Sequence, residues 1–275
     1  MDIRTIDWNE AWQDIKTRPL ESTQAADYWD HRAADFSQVS STSPYVEQFM
    51  QLLSVQPDWR ILDVGCASGT LALPLASRVR QVTGLDISSA MLDGLQANCR
   101  QQGINNIRTV HASWSDDWAT AGIDRHEVAI ASRSLVVDDL RAAIEKLIRF
   151  ATRRVYLSTP VADGPLDRNL FEAIGRPFRC GADYIYVYNL LYQMGLHASL
   201  NFITYREDKS YSDRETIFHS LRNKIGHLLP AEEKALQSYI DRVYVRREGH
   251  WRRAAPRLIR WAVMGWEIPG QNDSV

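Results

Sequence analysis

Ile61-Leu-Asp-Val-Gly-Cys-Ala-Ser-Gly-Thr70 reads as a strand that breaks into a glycine turn. Gln81-Val-Thr-Gly-Leu-Asp86 reads as a second strand, ending in a carboxylate 23 residues after Asp63. A glycine turn between a buried strand and a helix lets backbone N–H groups approach a ligand closely, and a carboxylate closing the next strand can accept hydrogen bonds from a ribose diol. The pair therefore predicts a nucleoside-binding crevice.

The spacing of the glycines selects among nucleosides. The dinucleotide fingerprint G-x-G-x-x-G needs three small residues, because a pyrophosphate must rest on the helix N-terminus. Here those positions hold Gly65, Ala67 and Thr70, so two of the three glycines are missing. The spacing acid-x-G-x-G-x-G is met by Asp63, Gly65 and Gly69, with Ala67 at the middle glycine. In this the chain resembles the class I (Rossmann-like) S-adenosylmethionine-dependent methyltransferases, whose first motif this is. The resemblance covers roughly Trp29 to Pro160.

That resemblance implies the cofactor S-adenosyl-L-methionine and an activity that moves its sulfonium methyl group to an acceptor. It places Asp63 near the methionine amino group, Gly65, Cys66, Ala67 and Gly69 against the methionine and ribose, and Asp86 with Ile87 at the ribose hydroxyls. Asp63 could instead cap backbone N–H groups of its own turn, and Asp86 could cap the helix that starts at Ser88. The adenine contact falls on Ser113 and Trp114, a departure from the acidic residue common in the family. Either Asp116 substitutes for that acid, or Trp114 stacks on the purine, or Trp114 is a core residue. The fourth strand leads into Ser132, Arg133 and Ser134, where the acceptor is expected beside the transferring methyl group.

Composition bounds the rest. A chain of 275 residues with 45% hydrophobic content can bury a substantial core. A formal charge of −2 and a pI near 6.4 provide no global field for nucleic acid or an anionic membrane, which favours a small-molecule methyl acceptor without excluding RNA. Cys66, Cys99 and Cys180 are too few and too dispersed for a disulfide framework or a metal site. The start of the chain lacks the blocks of a signal peptide and no apolar run approaches a membrane span, so a cytoplasmic protein is expected.

The elements alternate as an α/β fold requires. Two helices are expected ahead of the core, around Ser22–Phe36 and from the N-cap Ser43 to about Val55. Strands follow at Arg60–Val64, Gln81–Asp86, about Ile107–Ala112, Val128–Ala131 and Arg154–Ser158. Helices are expected between them at Ser68–Val79, from Ser88 or Ser89 to Arg100, and at Asp139–Ala151. Beyond Pro160 come a short helix near Leu170–Ile174, a helix at Tyr184–Met194 and a strand at Ser199–Tyr205. A capping box at Ser212–Glu215 opens another helix, one more follows Pro230, and Arg257–Ile268 is the last strand. This predicts a doubly wound, mostly parallel seven-stranded sheet with helices on both faces. Residues 1–56 would form N-terminal helices over the cofactor site, 57–209 with 249–275 the core, and 210–248 a helical cap inserted between the last two strands.

Residues that could touch the acceptor are fewer. Arg133 could bind a carboxylate or phosphate of the substrate, or pair with Asp138 or Asp139 at the surface. Tyr28, Trp29, Arg32 and Phe36 recur at helical spacing in the N-terminal segment. They could close over the cofactor or form a core-facing stripe. His111, His197, His219 and His250 are possible general bases, none with a neighbour at metal-ligand spacing. Seven arginines from Arg242 to Arg260 cluster around Trp251 with only Glu248 as an acid between them. This is either one solvated face or a surface that tracks a phosphate backbone, the basis of an alternative reading as an RNA-modifying methyltransferase. A third possibility is a module that binds the cofactor without catalysis, suggested by Ala67 and Ser113.

Overall fold

A computed structural model describes residues 5–15, 26–30, 33, 43–178, 181–207 and 209–268. Among the described residues, α1 (Trp8–Ile15), which the sequence reading did not anticipate, and α2 (Pro44–Leu52) precede the first strand. Residues 26–30 are also helical, whereas Arg32, Phe36 and Cys180 lie outside the described residues. Ser43 caps α2 by accepting from the Val46 amide, and Pro44 supplies a preset φ at the first helical position. Tyr45, Val46, Phe49 and Met50 are buried along one face of α2. Each such side chain contributes roughly 1.5–3 kcal/mol.

The alternating region follows: β1 (Arg60–Val64), α3 (Ala72–Ala76), β2 (Gln81–Asp86), α4 (Ser89–Gln102), β3 (Ile107–His111), β4 (His126–Ser132), α5 (Leu140–Phe150) and β5 (Ala151–Pro160). Later come α6 (Arg168–Ala173), α7 (Tyr184–Gln193), β6 (Ser199–Arg206), α8 (Arg214–Ile225), α9 (Pro230–Val243), β7 (Tyr244–Arg247), β8 (His250–Arg253) and β9 (Leu258–Glu267). Seven strands form one sheet in the order β3-β2-β1-β4-β5-β9-β6. Strands β1 to β5 pair in parallel and β9 runs antiparallel to β5. Strand β1 sits between β2 and β4, the point where the order of strands reverses and ligands bind beyond the carboxyl ends. Its Ile61, Leu62 and Val64 are wholly buried, as a strand covered on both faces demands.

The chain divides into two compact units: Met1–Pro160 with Gly181–Ile203 and Trp261–Val275, and Val161–Cys180 with Thr204–Arg260. The first holds the sheet's parallel strands. The second has its own core, in which Leu170, Ile217, Leu236, Tyr239 and Ile240 are buried.

Several local expectations change. The helix after the glycine turn is only Ala72–Ala76, because Gly69 at φ 101° and the tight turns before it occupy Ser68 to Leu71. The N-cap of α8 is Asp213, not Ser212: its carboxylate accepts from the Thr216 amide, and an anion there also answers the helix dipole. The helix after Pro230 stops at Val243. Beyond it β7 and β8 pair as a hairpin, turning through Glu248 and Gly249 at φ 50° and 82°. Two left-handed residues in succession are what a two-residue hairpin loop with the right twist needs.

Candidate functional site

The turn after β1 is shaped by its neighbours in the protein. Gly65 and Cys66 both donate their amides to the Leu85 carbonyl, at 2.7 and 3.0 Å, which bends the chain over the end of β2. Gly65 has φ 71°, and a Cβ there would lie 2.3 Å from Cβ of Ser134. Ser134 in turn donates its hydroxyl to the Val64 carbonyl at 2.5 Å. The first glycine is thus required by the loop after β4, which packs directly on the turn. A Cβ on Gly69 would meet Leu73 and Leu95 at 2.7 Å, so this glycine permits the close approach of α3 and α4. Ala67, where the family pattern has glycine, adopts φ 48°, a left-handed conformation that costs an alanine about 1–2 kcal/mol.

Asp86 fastens that turn. Its two oxygens accept from the Ala67 amide at 2.8 Å and the Ser88 amide at 2.9 Å. Ser88, rather than Asp86, is the N-cap of α4. Asp63 is 2% exposed and accepts from the Ala72 amide, while its Oδ2 has no hydrogen-bond partner among the described residues. Burial, reinforced by the charge of Asp86, pushes its carboxyl up to about 7. Burial also raises Asp86, against the opposing effect of the amides it accepts, and drives the Cys66 thiol well above its usual range. Two carboxylates meet at the lip of the sheet, and one of them holds an orphaned oxygen. A buried anion in that state favours a ligand carrying a cation or N–H donors.

The end of β3 is less open to a ligand than expected. The Ser113 amide donates to Asp116 at 2.7 Å, which holds that carboxyl below its ordinary range. Trp114 donates its indole N–H to the Ser134 carbonyl at 2.9 Å and packs against Trp118, ring centroids 5.5 Å apart. Lys146 reaches the carbonyls of Trp114 and Asp116 at 2.8 and 2.5 Å. Trp114 therefore packs partly buried against the main core. The Ile87 carbonyl is taken by His111 Nε2 at 2.8 Å.

At the end of β4 the structure assembles a group the sequence did not reveal. The Tyr45 hydroxyl lies 2.6 Å from both Ser132 Oγ and Ser158 Oγ, tying α2 to β4 and β5. Arg133 has φ 58°, and its amide reaches the Ser158 carbonyl at 3.2 Å and hydroxyl at 3.0 Å. Its guanidinium carbon lies 4.1 Å from the centroid of the Tyr45 ring and 5.7 Å from that of Trp261. Stacking satisfies the face of a guanidinium and leaves its five in-plane N–H groups for other partners. Strained backbone and an aromatic bed together mark a side chain held in one place. Nothing about Tyr45, an aromatic in a capped helix, signals this role in the sequence.

The other acceptor-side candidates scatter. Tyr28 is 39% exposed and stacks edge-on with Trp29. Beside them, Asp30 accepts from the Ser88 hydroxyl and the Ala90 amide, so residues 26–30 are bound to the start of α4. His219 lies on α8 in the second unit, 3.6 Å from Glu215 of its own helix, and His250 is exposed on β8. No group of three or more potential metal ligands forms among the described residues. No helix among them is long and apolar enough to cross a membrane.

Comparison with known proteins agrees with this geometry. A family described as a methyltransferase domain matches residues 61–153. An uncharacterized protein of Haemophilus influenzae is 36% identical over 248 residues, covering 87% of this chain and 88% of that protein. A 23S rRNA (uracil(1939)-C(5))-methyltransferase of Alkalilimnicola ehrlichii is 35% identical over 101 residues. This match covers 34% of the chain but only 23% of that enzyme. Among solved structures, an S-adenosylmethionine-dependent methyltransferase of Thiobacillus denitrificans, in complex with S-adenosyl-L-homocysteine, superposes with a TM-score of 0.53. The two are 13% identical, over 86% of this chain and 96% of that one.

Proposed function

Because this chain belongs to the class I S-adenosylmethionine-dependent methyltransferase family, with S-adenosyl-L-methionine as its cofactor, we propose that its methyl acceptor is a nucleotide of RNA. The residues present fit the cofactor. The orphaned Oδ2 of Asp63 suits its ammonium group, Asp86 retains lone pairs for the ribose hydroxyls, and the turn from Gly65 to Gly69 presents backbone to the methionine portion. When bound, the cofactor supplies an electrophilic methyl group on a positively charged sulfur. The protein's part is to hold the acceptor in line with that methyl and to exclude water. Arg133, at the carboxyl end of β4, is suited to orient an anionic group of the acceptor.

The charge distribution carries the RNA reading. Of 32 basic residues 16 lie in the second unit, against 11 of 34 acidic ones, so it bears a formal charge of +5 while the first bears −7. The near-neutral average of the chain hides two units of opposite sign. Within the basic unit, Arg246 and Arg247 are exposed on the β7–β8 hairpin and have no side-chain partner among the described residues. Such a patch supplies the sequence-independent part of nucleic-acid affinity. The similarity to an rRNA methyltransferase supports the same reading, over the part of that enzyme that this chain matches.

A small anionic metabolite is the second reading, favoured by Arg133 on its aromatic bed in the acidic unit. Incubation with methyl-labelled cofactor and, separately, total RNA and a metabolite extract distinguishes the two. Label in the RNA fraction is expected; label confined to small metabolites overturns the RNA reading.

A further inference from the structure

A cleft of about 500 Å³ opens within the second unit, between the segment from Val161 to Asn169 and the residues Arg257, Leu258 and Arg260. Its walls are joined by a hydrogen bond from the Val161 amide to the Arg260 carbonyl at 3.2 Å. Most of its charges are compensated. Arg168 forms a two-pronged pair with Asp163, at 3.0 and 2.7 Å, and lies over the Phe178 ring. Asp167, 8% exposed, accepts from Arg253 at 2.7 Å and from the Tyr239 hydroxyl at 2.6 Å, with Arg257 at 3.5 Å. Glu207 takes Arg257 and Lys224 at 3.7 Å each. The residues that line the cleft therefore carry three arginines, Arg168, Arg257 and Arg260, against two aspartates, Asp163 and Asp167, a formal surplus of one positive charge.

Arg260 carries that surplus. It is exposed, lines the cleft, and its side chain has no partner among the described residues; the same holds for the amide of Asn169 on the opposite wall. A concave site with surplus positive charge, one uncommitted guanidinium and one uncommitted amide donor is complementary to a tetrahedral oxyanion. Arg257, 16% exposed and anchored by two acids, supplies a fixed positive background that a mobile surface arginine cannot.

We propose that this cleft binds a phosphate group, with Arg260 and Asn169 as its direct ligands, and that the phosphate belongs to the backbone of the RNA acceptor. The second half of this inference rests on the RNA reading above. Phosphate contacts fix the register of a strand without reading its sequence. The cleft is thus a positioning site, separate from the hairpin arginines.

The experiment uses the full chain and a fluorescent 12-nucleotide single-stranded RNA, with anisotropy titrations between 50 and 200 mM KCl, and calorimetry with inorganic phosphate. Arg260→Gln is expected to weaken RNA binding about threefold to tenfold for every sequence tried, and to lower the salt slope by about 0.7, one phosphate contact on a single strand. Asn169→Ala is expected to weaken it less, and Arg246→Ala with Arg247→Ala to leave phosphate binding intact. Thermal melts confirm that Arg260→Gln folds. If the wild type binds RNA but Arg260→Gln changes neither affinity nor slope, the cleft is not a phosphate site and the RNA reading stands. If phosphate binds and is lost in Arg260→Gln while RNA does not bind, the cleft stands and the RNA reading falls. If neither ligand binds, both fall.

Discussion

Asp63 and Asp86 lie at or next to the carboxyl ends of neighbouring strands and repel one another, yet only Asp86 has both oxygens engaged by amides. Asp63 is left buried with one oxygen unpaired and its carboxyl pushed up to about 7. Between about pH 4 and that value, the folded chain holds a proton there that the unfolded chain releases. A folded-state value above the unfolded one in an acid means that stability falls as pH rises through this window. The total is on the order of 4 kcal/mol. Asp63→Asn should remove this loss, so urea midpoints at pH 5 and pH 7.5 should converge in the variant relative to the wild type. An unchanged difference between the two pH values would contradict the assignment.

The same carboxylate pair predicts how the cofactor is held. Under the proposed reading, in which Asp86 accepts from the ribose hydroxyls, Asp86→Asn should weaken S-adenosyl-L-methionine binding by about 1.5–3 kcal/mol, roughly 10- to 150-fold. Calorimetric titration measures this, and a dissociation constant within a factor of two of wild type would dissociate Asp86 from the ribose.

Ala67 and Gly65 respond oppositely to substitution. Ala67→Gly relieves the left-handed strain at φ 48° against a smaller loss of chain entropy, and should stabilise the protein by about 0.5–1 kcal/mol. Gly65→Ala places a methyl group 2.3 Å from Ser134 Cβ at φ 71°, and should destabilise by at least about 2 kcal/mol. Chemical denaturation of both variants tests whether the turn is shaped by the protein or by its ligand. Equal small effects would count against steric control by Ser134.

In the second unit, Asp167 balances Arg253, Arg257 and the Tyr239 hydroxyl. Burial raises its carboxyl, but the Tyr239 hydrogen bond and the two guanidinium charges outweigh burial and hold it below the ordinary range. Its contribution is therefore present above about pH 4 and lost as pH falls further. Asp167→Asn strands a guanidinium charge in the interior and should cost about 3–5 kcal/mol. The drop should be seen by thermal melting at pH 7 and shrink toward pH 3, with no pH dependence of the difference as the contrary result.

The fold was legible where neighbouring residues decide the structure. Strand β1 lies at Arg60–Val64 and β2 at Gln81–Asp86, the bounds expected from apolar runs ending in glycine or acid. Ser43 with Pro44 fixed the start of α2 in the same way. The hairpin β7–β8 escaped because Glu248-Gly249 is a weak turn signal inside a basic stretch. Helix α1 escaped because its first residues offered no apolar run. The arginine cluster was read as one set, but Arg253 and Arg257 turn inward to Asp167 while Arg246 and Arg247 stay exposed.

By itself the sequence determined the strand, turn, helix, strand and acid that make a nucleoside crevice, because that signal is local: apolar period, glycine torsion and a terminal carboxylate. Only tertiary structure decided what surrounds it. Tyr45 meets Ser158 across 113 positions, Gly65 is dictated by Ser134, and charge separates into two units of opposite sign. Contacts between residues distant in the chain depend on how strands are ordered in the sheet, and no local pattern encodes that order.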